Sequence, residues 1–252
     1  AAVAIASRLG DPGALASGAL TLGLAFYRQG HLDEALTQYT RGIQDAEPAG
    51  DRKRLATLLR DAGTCLQLTG RVDRALTSFE RSLAIARELQ NAQLTASVLD
   101  NLGLLKGDLG DLHARDTLLL ESLAIAEREH FDAEARNTYN NLGAAHVAQG
   151  DVEVGLGYLE KALALSRRLA ADRDIATSLI NVGAAQVRLG QHDRALASYT
   201  DALSRFRREN APIGVAIVLT NLCELHRLTG LAETALGECE DSAGMFDRIG
   251  FE

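Results

Sequence analysis

The sequence predicts an all-α array: six helix-turn-helix units of 40 residues, preceded by part of a helix. Three observations predict it. Glycine falls at 23, 63, 103, 143 and 183, with Cys223 in the sixth place of that series. A second series is complete, at Gly30, Gly70, Gly110, Gly150, Gly190 and Gly230. Between these marks apolar residues recur every three or four positions, as in Leu55, Leu58, Leu59, Ala62 and Leu66, which is the spacing of one helix face. No gap or insertion is needed from residue 11 to residue 250.

Taken in order, the repeats are 11-50, 51-90, 91-130, 131-170, 171-210 and 211-250. The expected helix pairs are 14–29/33–47, 52–69/73–89, 92–109/113–129, 133–149/153–169, 172–189/193–209 and 212–229/233–249. The complete glycine series ends each first helix, because glycine reaches the left-handed cap conformation cheaply. Asp33, Asp73, Asp193 and Glu233 then suit the start of a second helix, where a negative charge meets the positive end of the helix dipole. Each second helix carries a small residue (Ala35, Ala75, Gly155, Ala195, Ala235), then a large apolar one (Tyr39, Phe79, Leu119, Leu159, Tyr199), then Ile43, Leu83, Leu123, Leu163 and Leu203. The other glycines lie mid-helix, where each costs about 1 kcal/mol against alanine. Their repetition predicts a close backbone approach to the alanine of the partner helix.

Residues Val3, Ala4, Ile5 and Ala6 match Leu83, Ala84, Ile85 and Ala86 in period. The chain therefore reads as a single solenoid domain over 1-252, beginning inside the second helix of a preceding unit and cut from a longer protein. The third repeat departs from the pattern. Arg115 stands where the others have Ala or Gly, and Lys106 where the first two have Phe26 and Leu66. A looser helix pair is expected there, either as drift or as a kink that turns Arg115 toward a ligand.

Composition narrows the function. Net charge is -8, and charged residues make up 24% of the chain. That acidity argues against nucleic acid as a partner, and no run of about 18 apolar residues predicts a membrane span. Three prolines argue against disorder and against a turn-rich β fold. Three cysteines, an odd number, without a secretory signal predict reduced thiols in the cytoplasm. Cys223, His226 and Cys239 can be drawn as three zinc ligands, but a fourth is missing, and the two cysteines equally suit small apolar slots. His31 and His192 fall in turns; His146 and His226 share a slot that Phe26 fills in the first repeat. No phosphate loop, dinucleotide fingerprint or nucleophile elbow is present, so neither an enzyme nor a cofactor is expected.

The small-residue and aromatic slots, with Leu102-Gly103, Ala75, Phe79 and Tyr199, resemble the tetratricopeptide repeat. Segments such as Asn101-Leu102-Gly103 are similar to its 40-residue bacterial variety, found in signalling ATPases, transcription regulators and kinesin light chain. The resemblance implies a right-handed superhelix whose concave face, lined by first helices, binds peptides or partner proteins. It implies a scaffold or sensor domain of a bacterial regulator, holding an extended peptide in that groove. Self-association through the solenoid ends, giving a homo-oligomer, is the alternative.

One register position carries the expected site. Two residues before the mid-helix glycines stand Asp61, Asn101, Asn141, Asn181 and Asn221. Asparagine is a poor helix former, so its repetition needs a reason. In the family such an amide faces the groove and reads a peptide unit, donating and accepting at once. Equally, the amides can bridge adjacent first helices. Neighbouring positions extend the groove to Ser97, Asp100, Leu104, Asn137, Asn140, Ala144, Val147, Thr177, Ile180, Ala184, Arg188, Thr220, Glu224 and Arg227. Arg188 and Arg227 suit an acidic ligand group, and Asp61, Asp100 and Glu224 a basic one. The lysines are Lys53, Lys106 and Lys161, too few on first helices for a lysine clamp on a ligand C-terminus.

Overall fold

A computed structural model describes residues 11–249, and the expected N-terminal helix tail in residues 1–10 lies outside them. The described residues hold twelve helices and no strand. They divide into two compact units, with the boundary along the chain between Phe131 and Asp132.

Unit 1 contains α1 (Pro12–Arg28), α2 (Leu32–Ala46), α3 (Arg52–Leu68), α4 (Val72–Glu88), α5 (Ala92–Asp108) and α6 (Leu112–Arg128). Unit 2 contains α7 (Asp132–Gln149), α8 (Val152–Arg168), α9 (Asp172–Arg188), α10 (His192–Arg208), α11 (Pro212–Leu228) and α12 (Ala232–Ile249). These bounds fall within two residues of those expected. The complete glycine series ends the first helices as predicted. Gly30, Gly70, Gly110, Gly150, Gly190 and Gly230 all have positive φ, from 69° to 99°. Within each unit every first helix packs on the second helix of its repeat, and each second helix on the next first helix. First helices also touch one another, α1 with α3 and α3 with α5 in unit 1, α7 with α9 and α9 with α11 in unit 2.

In three repeats the mid-helix glycines have a different cause from the one expected. A methyl group at Gly23, Gly63 or Gly183 would lie 2.3, 2.6 or 2.5 Å from a ring carbon of Tyr39, Phe79 or Tyr199. The glycine is the seat of the large second-helix side chain sixteen residues on, not of the alanine. Gly103 and Gly143 seat Leu119 and Leu159, and there the expected backbone approach is present too: a methyl group would lie 3.3 Å from the Arg115 carbonyl oxygen and 2.9 Å from that of Gly155, the residues of the small slot. Tyr39, Phe79, Leu119, Leu159 and Tyr199 are each at most 2% exposed. They dominate the pair contacts, since an aromatic side chain buries 150–250 Å², roughly, on the general scale. Buried serines are satisfied across the pair: Ser82, Ser122 and Ser242 donate to the carbonyls of Ala56, Ala96 and Ala216 at 2.7, 2.8 and 2.9 Å.

The third repeat is not loose. Its helices have 17 residues each, as do those of the second repeat. Arg115 is buried, 6% exposed; it pairs with Asp116 at 2.8 Å and lies over Gly107. Gly107 takes the place of Gln67 and Val187 in other repeats, so volume added at one position is removed at the other.

The cysteine expectation is also corrected. Cys223 and Cys239 are joined in a disulfide, with Cα atoms 5.4 Å apart, and Cys65 is the free thiol. The two positions are the glycine seat and the large-residue slot of the sixth repeat, which face each other in every pair; spacing along the chain alone does not reveal that.

Candidate functional site

In unit 1 the first helices enclose a pocket of about 400 Å³. Its apolar wall is Leu20, Leu24 and Tyr27 of α1 with Tyr39 of α2. Its polar wall is Thr57, Arg60, Asp61 and Thr64 of α3 with Asn101 of α5. Each polar residue faces the pocket because it sits on the first-helix stripe opposite the buried leucines Leu55, Leu58 and Leu59.

Asp61 and Asn101, two members of the predicted ladder, meet here. Arg60 donates to the Asp61 carboxylate at 2.8 Å and to the Ser97 hydroxyl at 3.1 Å. Burial nevertheless pushes the Asp61 carboxyl above its usual range, with Arg60 opposing through charge and hydrogen bond. Burial, then the charges of Cys65 and Asp61, raises the Tyr27 phenol as well. Burial and the Asp61 charge push the Cys65 thiol up to about 11, so it is a poor nucleophile near neutral pH. The Asn101 amide reaches the Thr64 hydroxyl at 3.4 Å, near the limit of a useful hydrogen bond.

In unit 2 the predicted residues are engaged differently. The Asn181 amide donates to Asn140 Oδ1 at 3.3 Å, bridging α9 to α7. Arg188 donates to the Val147 carbonyl at 2.8 Å, at the end of α7. Asn137 is exposed and accepts from Arg136 at 2.9 Å; Arg136 also pairs with Asp174. The exposed Thr177 hydroxyl returns to the Arg173 carbonyl. Asn221 donates to Ile217 of its own helix at 3.1 Å. Arg227 grips Glu224 through two hydrogen bonds, at 2.7 and 2.6 Å. That grip holds the Glu224 carboxyl below its usual range and raises Arg227. Asp100 and Asn141 are half-buried on α5 and α7.

Sequence reasoning missed Leu20, Leu24, Thr57, Arg60 and Thr64. The signal was available: they are the first- and second-repeat members of the positions already projected from Ser97, Asp100 and Leu104, one or two periods upstream. No zinc set forms at Cys223. Both thiols of the pair are consumed by the disulfide, and His226 Nδ1 lies 2.7 Å from Glu238.

Stacked helix pairs presenting a polar stripe of first helices define a helical-repeat solenoid. The tetratricopeptide repeat model matches residues 54–128 and 134–208, more than half of the chain, and the protein belongs to that family. Solved structures share the fold. BtubC (BKLC) from P. vanneervenii is 23% identical, with 83% of this chain and 88% of that one covered and a TM-score of 0.69. A Rap protein complexed with Competence and Sporulation Factor is 14% identical, covers 94% and 71%, and has a TM-score of 0.76. The apo form of RapI is 16% identical, covers 99% and 89%, and has a TM-score of 0.75. No curated protein matches the sequence.

Proposed function

We propose that the chain is a cytoplasmic peptide-binding scaffold of a bacterial regulator, and that an extended segment of the partner lies along the first helices. The observation that carries this reading is the unit 1 pocket, where Asp61 and Asn101 from two helices meet beside Leu20 and Leu24. An apolar ligand side chain fits the leucine wall, and one peptide unit spans the carboxylate and the amide. Among the similar structures, one Rap protein is in complex with a factor and another regulator with the Phr* peptide. The acidic balance and the absence of a basic stripe favour a protein partner over nucleic acid. None of the residues in the pocket makes a nucleophile–base pair, and no enzymatic role is proposed.

The test selects peptides from a displayed library on the intact chain. Their affinities are then measured for Asp61→Ala/Asn101→Ala and for Asn141→Ala/Asn181→Ala. Two lost hydrogen bonds predict a fall of about tenfold or more with helicity unchanged. Unchanged affinity for every selected peptide sinks the ladder as a binding surface.

Self-association has one observation behind it. Leu236 of α12 is 61% exposed, against 7%, 8% and 38% for Leu36, Leu156 and Leu196 at the same register position. A molecular mass that stays monomeric in light scattering across a concentration series rejects it.

A further inference from the structure

The sixth repeat differs from the other five at the contact that locks each pair. Five repeats seat a ring or a leucine on a glycine, from Gly23 under Tyr39 to Gly183 under Tyr199. The sixth has Cys223 and Cys239 at those two positions, and a covalent bond in place of the seated side chain. The backbones of α11 and α12 approach as extensively as in the other pairs, but few side chains of α12 are buried. Among its described side chains α12 buries Ala235 and Ser242, whereas α10 buries Ala195, Tyr199, Ala202 and Phe206. Polar contacts add the Thr220–Ser242 hydroxyl pair at 2.7 Å and His226–Glu238 at 2.7 Å. Gly237 and Gly244 of α12 face open space and pack against nothing.

We propose that Cys223–Cys239 is a reversible thiol–disulfide site that pins α12 to α11, and that a dithiol reductant releases the helix. Access is one-sided: Cys239 is exposed and Cys223 is 7% exposed. A donor thiolate attacks Sγ of Cys239, the S–S bond breaks, and Cys223 leaves as a thiolate that takes a proton. The donor's second thiol attacks the mixed disulfide and frees the Cys239 thiol. The donor ends as a cyclic disulfide, and the protein gains two electrons and two protons. A disulfide oxidant runs the sequence backward. Reduction leaves two small thiols where every other pair has a glycine seat filled by a large side chain. The helix then loses its lock, and the Val215 and Leu219 wall beside Met245 opens. In a reducing cytoplasm such a bond is transient, which suits a sensor and not a permanent staple.

Amide hydrogen exchange on the intact chain tests this, with and without dithiothreitol. Alkylation in denaturant before reduction finds one thiol of the three cysteines, and after it all three. Dithiothreitol speeds exchange in α12 by about tenfold or more while α3–α10 stay protected, as expected for local release of one helix. Cys239→Ser behaves as the reduced chain under both conditions. Cys223→Gly/Cys239→Tyr restores the Gly183–Tyr199 arrangement and keeps α12 protected whether or not dithiothreitol is present. Three alkylatable thiols without reductant, or α12 exchange within twofold in the two states, overturns the proposal.

Discussion

Arg115 fills the space that Gly107 leaves: a methyl group at Gly107 would lie 2.8 Å from Cδ of Arg115. The fourth repeat uses the same two positions in reverse: a methyl group at Gly155 would lie 2.6 Å from Cγ2 of Val147. Residues eight apart, one on each helix of a pair, therefore trade volume. Gly107→Val alone overpacks the pair, at a cost of about 1–3 kcal/mol. Arg115→Ala alone leaves a void and strands Asp116. Together they copy Val187 with Ala195, and urea unfolding of the double variant recovers most of the loss. The coupling expected in the cycle is about 1–3 kcal/mol, and simple additivity would show that the positions do not trade.

The glycine seats give substitutions of one type with opposite signs. Gly63→Ala drives a methyl to 2.6 Å from Cε1 of Phe79, which is fully buried. Thermal unfolding should record a loss of about 1–3 kcal/mol, because neither ring nor backbone can yield without repacking. Gly157→Ala in α8 meets nothing within 4 Å. It should gain about 0.5–1 kcal/mol, the ordinary preference of a helix for alanine. A loss at Gly157, or no change at Gly63, would reject the seat as the reason for the mid-helix glycines.

A second left-handed turn between repeats was hidden in the sequence. Two positions before each new first helix φ lies between 49° and 66°, at Gly50, Gln90, His130, Ala170 and Asn210. Only Gly50 advertises it. An alanine held there costs roughly 1 kcal/mol, from the approach of Cβ to a carbonyl oxygen. Ala170→Gly is expected to stabilise by somewhat less, since glycine also gains freedom in the unfolded chain. Gly50→Ala is expected to destabilise by about 1 kcal/mol, and melting curves of the two should shift in opposite directions.

What the sequence revealed follows from what a 40-residue period repeats. The helix pairs, their ends and the core positions recur six times, so noise in one repeat is corrected by the others. What recurs only once was misread. Arg115 looked disruptive because its relief, Gly107, lies on the other helix. Cys223 and Cys239 looked like two small apolar residues because the facing of seat and ring is a fact of packing. The Asn ladder was found, but Asn181 to Asn140 and Arg188 to Val147 show bridging of first helices that residue type alone left open. The pocket walls at Leu20, Thr57 and Arg60 hold the register positions of Asp100 and Ser97 one or two periods upstream, but the change from acid to leucine at 20 and to arginine at 60 hides them.

Asp61 is the ladder's one carboxylate, and its ionisation has a definite sign. Burial raises its folded-state pKa above the ordinary 3.8, against the pull of Arg60. The ionised form is thus less favourable in the folded chain than in the unfolded one. Below 3.8 both states hold the proton and no penalty exists; as pH rises through the raised folded pKa the penalty enters in full. The substitution Asp61→Asn removes that penalty, keeps an oxygen for Arg60, and matches the residue at 101, 141, 181 and 221. Urea midpoints of Asp61→Asn and of the parent chain, taken from about pH 4 to pH 7, should therefore separate in favour of the amide as pH rises. A gap that closes or reverses with rising pH would mean that the Arg60 pair outweighs desolvation. The carboxylate would then be a structural partner of Arg60 and not a group held ready for a ligand.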